Sequence, residues 1–530
     1  MGLPWWRTGV VYQVWPRSFA DSDGDGVGDL QGLIGKLDHL SDLGIDAVWL
    51  SPVYPSPQVD SGYDISDYQG VDPLFGTLAD LDELVAGLHR RGMRLVLDVV
   101  LNHTSDQHPW FVDSRSSRTS ARRGWYWWRD TPPNAWQSAF GGSAWELDPT
   151  TGQHYLHTFA RQQPDLRWDD PAVRQAVADL LRWWLDRGVD GFRLDVISMV
   201  GKDLDDPDGV LGFGPRLHEY LQELHRTVFA DRDLVTVGET PAASVAEALL
   251  LTDPRRAELD MVFEFEHVSL DMGATKWDHV PLTLPRLKQC LARWQEGLGQ
   301  GWNSLYWDNH DQPRAVSRFG DDGEHRVASA KTLATVLHLH RGTPFVYQGE
   351  ELGMASPRFA DLADYRDVES LEHYAAAVAA GQSSQQAIEA LQRASRDNAR
   401  TPVPWDGSPA AGFTTGTPWI RLGPDAASVH AAGQRDDPHS VLAHYRRLIA
   451  LRHEVPAVTE GDFALLLPDD ERVWASTRRH DGVELLVVAN LSGDVVVPAL
   501  AGWDRGELLL GNLPDPRPEL RPWESRVLRR

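Results

Sequence analysis

The chain has 530 residues, with 77 acidic against 51 basic side chains and a formal net charge of −26. This charge argues against nucleic acid or an anionic membrane as a partner, because binding phosphate groups requires positive potential. No apolar run is long enough to span a membrane, and no signal peptide is evident at the amino terminus, so we expect a cytoplasmic protein. Cys290 is the only cysteine, which excludes an intrachain disulfide.

Short apolar segments alternate with helical ones along most of the chain. Helices are predicted over Leu30–Leu43, Leu78–Arg91, Ala172–Arg187 and Gly214–Phe229. Strands are predicted over residues 10–19, 45–53, 94–101, 191–197, 234–239, 261–266, 304–311 and 344–349. This spacing indicates parallel strands joined by crossover helices, and eight such strands close a (β/α)8 TIM barrel. The predicted fold class is therefore α/β.

The alternation is interrupted twice. Residues 104–170 are rich in Trp, Gly, Ser and Pro and too long for a connecting loop, which indicates an inserted subdomain after the third barrel strand. After about residue 456, short segments at 473–476, 483–490, 495–500 and 507–510 are typical of antiparallel strands. We therefore expect a barrel of residues 1–103 and 171–455, an inserted subdomain of 104–170, and a C-terminal β-sandwich of 456–530.

An acidic loop follows the first predicted strand. Its carboxylates fall at alternate positions, and the Val27 carbonyl supplies a further oxygen; the acidic residues are Asp21, Asp23, Asp25 and Asp29. This pattern matches the first nine positions of a calcium loop, but Gly32 stands where the bidentate glutamate is expected. Four close carboxylates repel one another without a cation, so the sequence predicts one structural Ca²⁺, with Mg²⁺ also possible. A solvated acidic turn is the alternative.

Charged residues occur in and after several of the apolar strands. Arg193 and Asp195 are two residues apart, so on a strand both point to the same face. Taken alone, this pair is equally consistent with a buried structural salt bridge. Other polar residues at the ends of predicted strands favour a functional site over a structural salt bridge, because active sites of such barrels lie at the carboxyl ends of the strands. These residues are Tyr63, Asp64, Asp98, His103, Glu239, His310 and Asp311.

Three of these carboxylates suit acetal hydrolysis. In that chemistry one carboxylate attacks the anomeric carbon, and a second, kept protonated, donates to the leaving oxygen. Arg193 is expected to keep Asp195 ionised. Glu239 lies in the more apolar sequence Val-Thr-Val-Gly-Glu and is the better candidate acid. Asp311 is left to bind sugar hydroxyls as the ring distorts.

Four stretches together resemble the signature regions of the α-amylase family of glycoside hydrolases. They are Asp98–His103, Gly191–Asp195, Val237–Glu239 and Trp307–Asp311. The resemblance implies that Asp195 is the nucleophile, Glu239 the acid/base and Asp311 the transition-state stabiliser. It also implies that these five residues line the same pocket: Tyr63, Asp64, His103, Arg193 and His310.

Further motifs resemble the oligo-1,6-glucosidase and α-glucosidase branch of that family. They are Gln163–Leu166, Tyr365–Glu369, Ser395–Pro402 and Gly412–Gly416. In that branch, the residues matching Arg400 and Asp64 hold the non-reducing terminal glucose, and the loop matching Asp21–Asp29 holds a metal. Val196 corresponds to the valine of enzymes that prefer α-1,6 links. Arg167 departs from the branch, where asparagine is usual.

The resemblance therefore implies a retaining exo-acting α-glucosidase that favours α-1,6 bonds, with small α-glucoside oligosaccharides as partners. We also expect a monomer or weak homo-oligomer. The alternatives are an α-1,4-glucosidase, a trehalose-6-phosphate hydrolase and a sucrose-acting isomerase. The Arg-Leu-Asp-Arg-Asp loop of the isomerases is not found. A non-catalytic relative, similar to the heavy chains of amino-acid transporters, is disfavoured because all three carboxylates are present.

Overall fold

The computed structural model describes residues 3–205, 212–500, 502–503 and 505–530. Its strands are β1 (Val11–Val14), β2 (Ala47–Leu50), β3 (Arg94–Val100), β4 (Trp128–Arg129), β5 (Trp145–Asp148), β6 (Gln153–Leu156), β7 (Gly191–Asp195), β8 (Val235–Glu239), β9 (Met261–Phe263), β10 (Ser304–Leu305), β11 (Thr343–Tyr347), β12 (Asp462–Leu466), β13 (Val473–His480), β14 (Val483–Asn490), β15 (Glu507–Gly511) and β16 (Ser525–Arg529).

The described residues also form α-helices. They are α1 (Trp5–Thr8), α2 (Leu30–Ile34), α3 (Leu37–Leu43), α4 (Leu78–Arg90), α5 (Pro109–Ser116), α6 (Pro171–Asp186), α7 (Leu217–Leu224), α8 (Val245–Thr252), α9 (Leu284–Gly297), α10 (Ala315–Arg318), α11 (Arg326–His338), α12 (Val368–Ala379), α13 (Ser384–Ala394), α14 (Ala431–Gln434), α15 (Val441–Glu454) and α16 (Ala457–Glu460).

Eight parallel strands form the predicted barrel. Their order is β10-β11-β1-β2-β3-β7-β8-β9, and a parallel bridge between Val262 and Asn303 joins the two edge strands. Every residue of β1, β2, β7, β8 and β11 is buried, as expected for strands covered on both faces. The (β/α)8 fold predicted from the sequence is confirmed.

Helix α6 illustrates how the crossover helices are specified. Asp170 caps its first turn by accepting a hydrogen bond from the Ala172 N–H, and Pro171 occupies the first helical position, where no donor is needed. The apolar residues Val173, Val177 and Leu181 recur at helical spacing and are fully buried. Gly188 follows with φ +98°, a conformation that favours glycine, and leads the chain into the strand that carries Asp195.

The segment between β3 and α6 contains helix α5 and a small antiparallel sheet of order β4-β6-β5. It is tied to the end of β3 by a bridge between His103 and Asp165, and Tyr126 pairs with Leu166 beside it. These pairings place the inserted segment against the rim formed by the carboxyl ends of the barrel strands.

The described part of the C-terminal region holds one antiparallel sheet of order β12-β13-β14-β16-β15. The predicted strand at 495–500 is reduced to a bridge between Val496 and Leu520. These two residues and Trp503 pack over one face of the sheet. An irregular segment therefore covers this face, where the predicted β-sandwich would have a second sheet. Strands β12 and β16 were not predicted.

Two further observations concern the chain as a whole. Across the residues that the structure describes, no helix is long and apolar enough to cross a membrane. Cys290 lies in α9 with 1% of its surface exposed, and burial raises the pKa of its thiol.

Candidate active site

The predicted catalytic carboxylates lie on one rim of the barrel. Asp195 and Glu239 are the last residues of the neighbouring strands β7 and β8. Asp311 follows β10, and His103 follows β3. Because parallel strands end on the same side of a barrel, residues distant in the sequence converge there.

Arg193 connects three carboxylates in the barrel interior. Its Nη1 donates to Asp98 Oδ1 at 3.0 Å and to Asp195 Oδ1 at 2.5 Å, and its Nη2 lies 2.7 Å from Glu239 Oε2. The guanidinium is 1% exposed and lies over the Trp49 ring. One positive charge therefore forms ion pairs with three acidic side chains that are buried from solvent.

That imbalance sets the protonation of the cluster. Burial raises the pKa of Asp98 to about 6, and burial together with the charges of Glu239 and Asp98 raises the pKa of Asp195 more than Arg193 lowers it. Arg193 opposes this shift and favours the ionised form of Asp195. Full ionisation of all three acids beside one guanidinium would leave net negative charge in a medium of low dielectric, which favours proton uptake by the cluster.

Glu239 is held by the residue that follows Asp195. The Val196 N–H donates to Glu239 Oε2 at 3.0 Å. Val196 has φ 37° and ψ 39°, a left-handed conformation that β-branched residues rarely adopt and that costs about 1–3 kcal/mol. The strained turn directs this N–H at the proposed acid. Val196 is itself 6% exposed.

Asp311 lies in a different electrostatic environment. Its carboxylate is 2.8 Å from Arg400 Nη2, 3.2 Å from His310 Nε2 and 3.6 Å from Arg396 Nη1. Burial alone would raise the pKa of Asp311, but the combined effect of these three neighbours lowers it well below the usual range. Asp311 is therefore ionised at neutral pH, in contrast to Asp98 and Asp195, whose pKa values are raised.

Aromatic rings pack against His310, the neighbour of Asp311. The His310 ring stacks on Tyr63 at 5.3 Å and on Trp15 at 5.1 Å. Burial lowers the pKa of His310 to about 3, so the imidazole is neutral. Gln13 Nε2 lies 2.8 Å from His310 Nδ1, and Tyr63 Oη lies 2.7 Å from His310 Nε2 and 2.9 Å from Asp98 Oδ2. A consistent assignment has Gln13 donating to Nδ1, Nε2–H donating to Tyr63, and Tyr63 donating to Asp98.

His103 and Asp64 each form hydrogen bonds with the loop that contains Tyr63. His103 Nε2 lies 3.1 Å from the Tyr63 carbonyl oxygen, and burial lowers the pKa of His103 to about 4. Asp64 is fully buried, and its carboxylate accepts hydrogen bonds from Ser56 Oγ, the Val59 N–H and the Asp60 N–H. The Asp64 carboxylate thus supports its own loop, in contrast to the predicted contact with glucose.

Asp60, rather than Asp64, faces the arginine that also approaches Asp311. Its Oδ1 lies 3.0 Å from Arg396 Nη2, and its Oδ2 accepts a hydrogen bond from Gln163 Nε2 at 3.1 Å. Burial raises the pKa of Asp60 to about 6. Sequence reasoning missed this residue because it lies in a loop, away from the strand ends where polar residues were sought. Arg396 was likewise missed.

The acidic loop lies apart from these carboxylates, after β1. Asp21, Asp23 and Asp29 each present an oxygen, and these oxygens lie within 4.8 Å of one another. That separation fits oxygen ligands at 2.3–2.6 Å from one cation. The Asp25 carboxylate accepts a hydrogen bond from the Val27 N–H and is not part of this group. Gly26, with φ 95°, lies so close to the Thr417 carbonyl that a Cβ would meet its oxygen at 1.9 Å.

The site as a whole combines three carboxyl groups that share the Arg193 guanidinium with an ionised carboxylate, Asp311, held by two arginines. Two carboxylates on adjacent strand ends can act as nucleophile and acid toward an acetal, and the ionised third can bind hydroxyls or a developing positive charge. Barrel and site together define a glycoside hydrolase.

Comparisons with known proteins identify the family. Residues 13–461 match the family model described as the alpha amylase catalytic domain, so the chain belongs to the α-amylase family of glycoside hydrolases. It is 48% identical to the oligo-1,6-glucosidase of Parageobacillus thermoglucosidasius, over 99% of this chain and 98% of that protein. It is 45% identical to the trehalose-6-phosphate hydrolase of Bacillus subtilis (strain 168), over 99% and 98%.

Solved structures give the same family and fold. The crystal structure of Bacillus licheniformis trehalose-6-phosphate hydrolase superposes with a TM-score of 0.95 at 43% identity, covering 99% of this chain and 100% of that one. The family resemblance stated from the four signature stretches is confirmed.

Proposed function

We propose that this enzyme is a retaining, exo-acting α-glucosidase that removes terminal glucose from short oligosaccharides and favours α-1,6 bonds. The observation that carries the proposal is the placement of Asp195 and Glu239 on one guanidinium, with Asp311 held separately by Arg400 and His310. The oligo-1,6-glucosidase identity of several relatives supports the substrate class.

The residues take the following roles. Glu239 donates a proton to the glycosidic oxygen as the bond to the leaving sugar breaks. Asp195 Oδ forms a bond to the anomeric carbon and gives a covalent glycosyl-enzyme. Glu239, now ionised, takes a proton from water, whose oxygen displaces Asp195. Asp311 stabilises the positive charge of the two oxocarbenium-like transition states.

The terminal glucose contacts the remaining polar groups of the pocket. We assign its hydroxyls to His103, His310, Arg400 and Asp60, with Asp60 taking the place first given to Asp64. Tyr63 supplies an aromatic face for the sugar ring. Neutral histidines suit this task, because they donate and accept hydrogen bonds without adding charge near Glu239.

The nucleophile is tested by Asp195→Asn. The amide cannot form the covalent intermediate, and we expect at least a ~10³-fold loss of kcat with an aryl α-glucoside. Asp186→Asn, on the exposed side of α6, is the matched control and should keep wild-type turnover. Near-normal activity of Asp195→Asn would overturn the assignment.

A second candidate function is hydrolysis of trehalose-6-phosphate, the activity named for two relatives 45% identical to this chain. A hydrolysis panel separates the two: isomaltose, panose, maltose, sucrose, trehalose and trehalose-6-phosphate. The proposed function requires isomaltose to be cleaved with the highest kcat/KM of the disaccharides. Exclusive cleavage of trehalose-6-phosphate would establish the second candidate instead.

The proposal includes one structural cation, calcium rather than magnesium, at Asp21, Asp23 and Asp29. Three clustered oxygen donors support it. The cation would stabilise the loop, and no catalytic step involves it. We also propose a cytoplasmic location. We further propose a monomer or weak homo-oligomer, and sedimentation of the purified enzyme tests this oligomeric state.

A further inference from the structure

A second cavity continues the catalytic pocket outward. The inner cavity, of about 230 Å³, contains Asp311 and Arg396 and has Phe140 and Phe159 as one wall. The outer cavity, of about 390 Å³, is lined by Arg358, Gln392, Arg393 and Glu389 among others. The two cavities share five lining residues, which are Asp271, His279, Pro313, Arg318 and Arg393. They therefore form one continuous channel from Asp311 to the C-terminal end of α13.

The floor of the channel is neutral. Arg318 binds Asp271 through two contacts, of 2.8 Å and 2.5 Å, and also donates to Gln312 Oε1 at 2.7 Å. Arg358 pairs with Asp322 at 2.6 Å. Glu389 also lines the outer cavity. Paired charges interspersed with carboxylates suit a neutral ligand rich in hydroxyls and disfavour a phosphate dianion.

Arg393 differs from the other cations of the channel. It lies in the last turn of α13 with its side chain exposed, and it lines both the inner and the outer cavity. Among the residues placed in the structure, no hydrogen bond or ion pair of its guanidinium is found. Five unengaged N–H donors at the junction of the two cavities are available to a ligand.

We propose that this channel binds the reducing-end extension of the substrate and that Arg393 is a specificity-determining residue for chain length. The occupant is the third and following glucose units of an isomalto-oligosaccharide, whose terminal unit is held at Asp311. The inference rests on the proposed function.

The test compares kcat/KM for isomaltose, isomaltotriose and isomaltotetraose. Wild-type enzyme should gain in kcat/KM from the disaccharide to the trisaccharide. Arg393→Ala removes charge-assisted hydrogen bonds and should lower the trisaccharide-to-disaccharide ratio about tenfold. Arg393→Gln, which keeps two donors, should lower it less. Arg90→Ala, at an exposed last-turn position of α4, is the matched control and should leave the ratio unchanged.

Two results would overturn the channel proposal while leaving the proposed function intact. One is isomaltose hydrolysis with a length ratio that is the same in wild type and Arg393→Ala. The other is a preference for trehalose-6-phosphate over trehalose that Arg393→Ala abolishes, which would make the channel an anion site. Failure of the wild type to cleave any isomalto-oligosaccharide would overturn the proposed function and the inference together.

Discussion

At the scale of single residues, Val196 offers a clean test of linkage preference. Threonine is β-branched as well, so Val196→Thr carries about the same cost at φ 37° and keeps the N–H that holds Glu239. The change replaces one methyl by a hydroxyl, worth ~1 kcal/mol for one hydrogen bond. We expect wild type to cleave isomaltose faster than maltose and Val196→Thr to raise relative maltose activity several-fold.

The measurement is kcat/KM for both disaccharides in both proteins. Val196→Gly is a useful companion, because glycine adopts φ 37° without strain and adds no hydroxyl. If wild type favours maltose, and Val196→Thr leaves the ratio of the two sugars untouched, another residue sets the linkage.

The same two strand ends predict the stereochemistry. A nucleophile and an acid that share one guanidinium are close enough for direct attack at the anomeric carbon, and double displacement retains configuration. Proton NMR during the first turnovers should show α-glucose before mutarotation. β-Glucose as the first product would mean that water attacks directly, and Asp195 would then act as a base.

The site could be predicted from the sequence wherever strand ends carried it. Asp195, Glu239 and Asp311 each end or follow an apolar strand, so their convergence follows from the barrel. The choice of Asp64 rather than Asp60 shows where this reasoning stops. Both residues are acidic and lie close to Tyr63 in the sequence. Only the folded loop shows that its backbone N–H groups bind the carboxylate of Asp64.

At the scale of elements, the acidic loop joins two parts of the barrel. The Asp21 N–H donates to the Phe413 carbonyl at 2.9 Å, and the Trp419 N–H donates to the Gly26 carbonyl at 2.9 Å. A cation that binds only the folded loop, present at a concentration of 100 times its Kd, adds about 2.7 kcal/mol to the free energy of unfolding. We expect chelator to lower the Tm by a few degrees, and calcium to restore it.

Asp23→Asn removes one ligand charge at an exposed position and should reduce the effect of the chelator. Asp42→Asn, exposed on α3, is the control and should behave as wild type. An identical melting curve with and without chelator, in enzyme that contains no metal by elemental analysis, would contradict the cation proposal.

Element boundaries were less predictable than element order. The expected helix over Leu30–Leu43 is two helices, α2 and α3, separated at Gly35. The strand expected over 304–311 ends at Leu305, because Asp308 turns its carboxylate to the Ala315 N–H and the chain bends toward the active site. Periodicity reports which face is buried, but long-range hydrogen bonds decide where a strand ends.

At the scale of the whole molecule, His340 joins the barrel to the C-terminal sheet. Its ring lies 5.7 Å from Phe463 and 5.2 Å from Trp474, and it is 2% exposed. Burial, with Arg478 and His267 nearby, lowers the pKa of His340 to about 4. The unfolded chain therefore binds a proton between pH 6.5 and 4 that the folded protein does not, so stability is lost as the pH falls through this range.

His340→Phe removes that proton and keeps an aromatic ring. Relative to wild type, we expect its unfolding free energy to rise by roughly 2 kcal/mol between pH 7 and pH 5, whatever the offset at pH 7. Urea unfolding at both pH values measures the difference. His439→Phe, at an exposed position, is the control. Parallel pH curves for wild type and His340→Phe would show that His340 does not titrate in this range.

The burial of Cys290 makes this chain suitable for labelling at a chosen position. A maleimide reacts with an exposed thiolate, and the only native thiol is enclosed in α9 with its ionisation suppressed. A cysteine introduced on the surface would therefore take up a dye selectively, without prior removal of the native one. Attached at Gln385 on the exposed side of α13, such a dye could follow sugar binding by fluorescence in the otherwise unaltered enzyme.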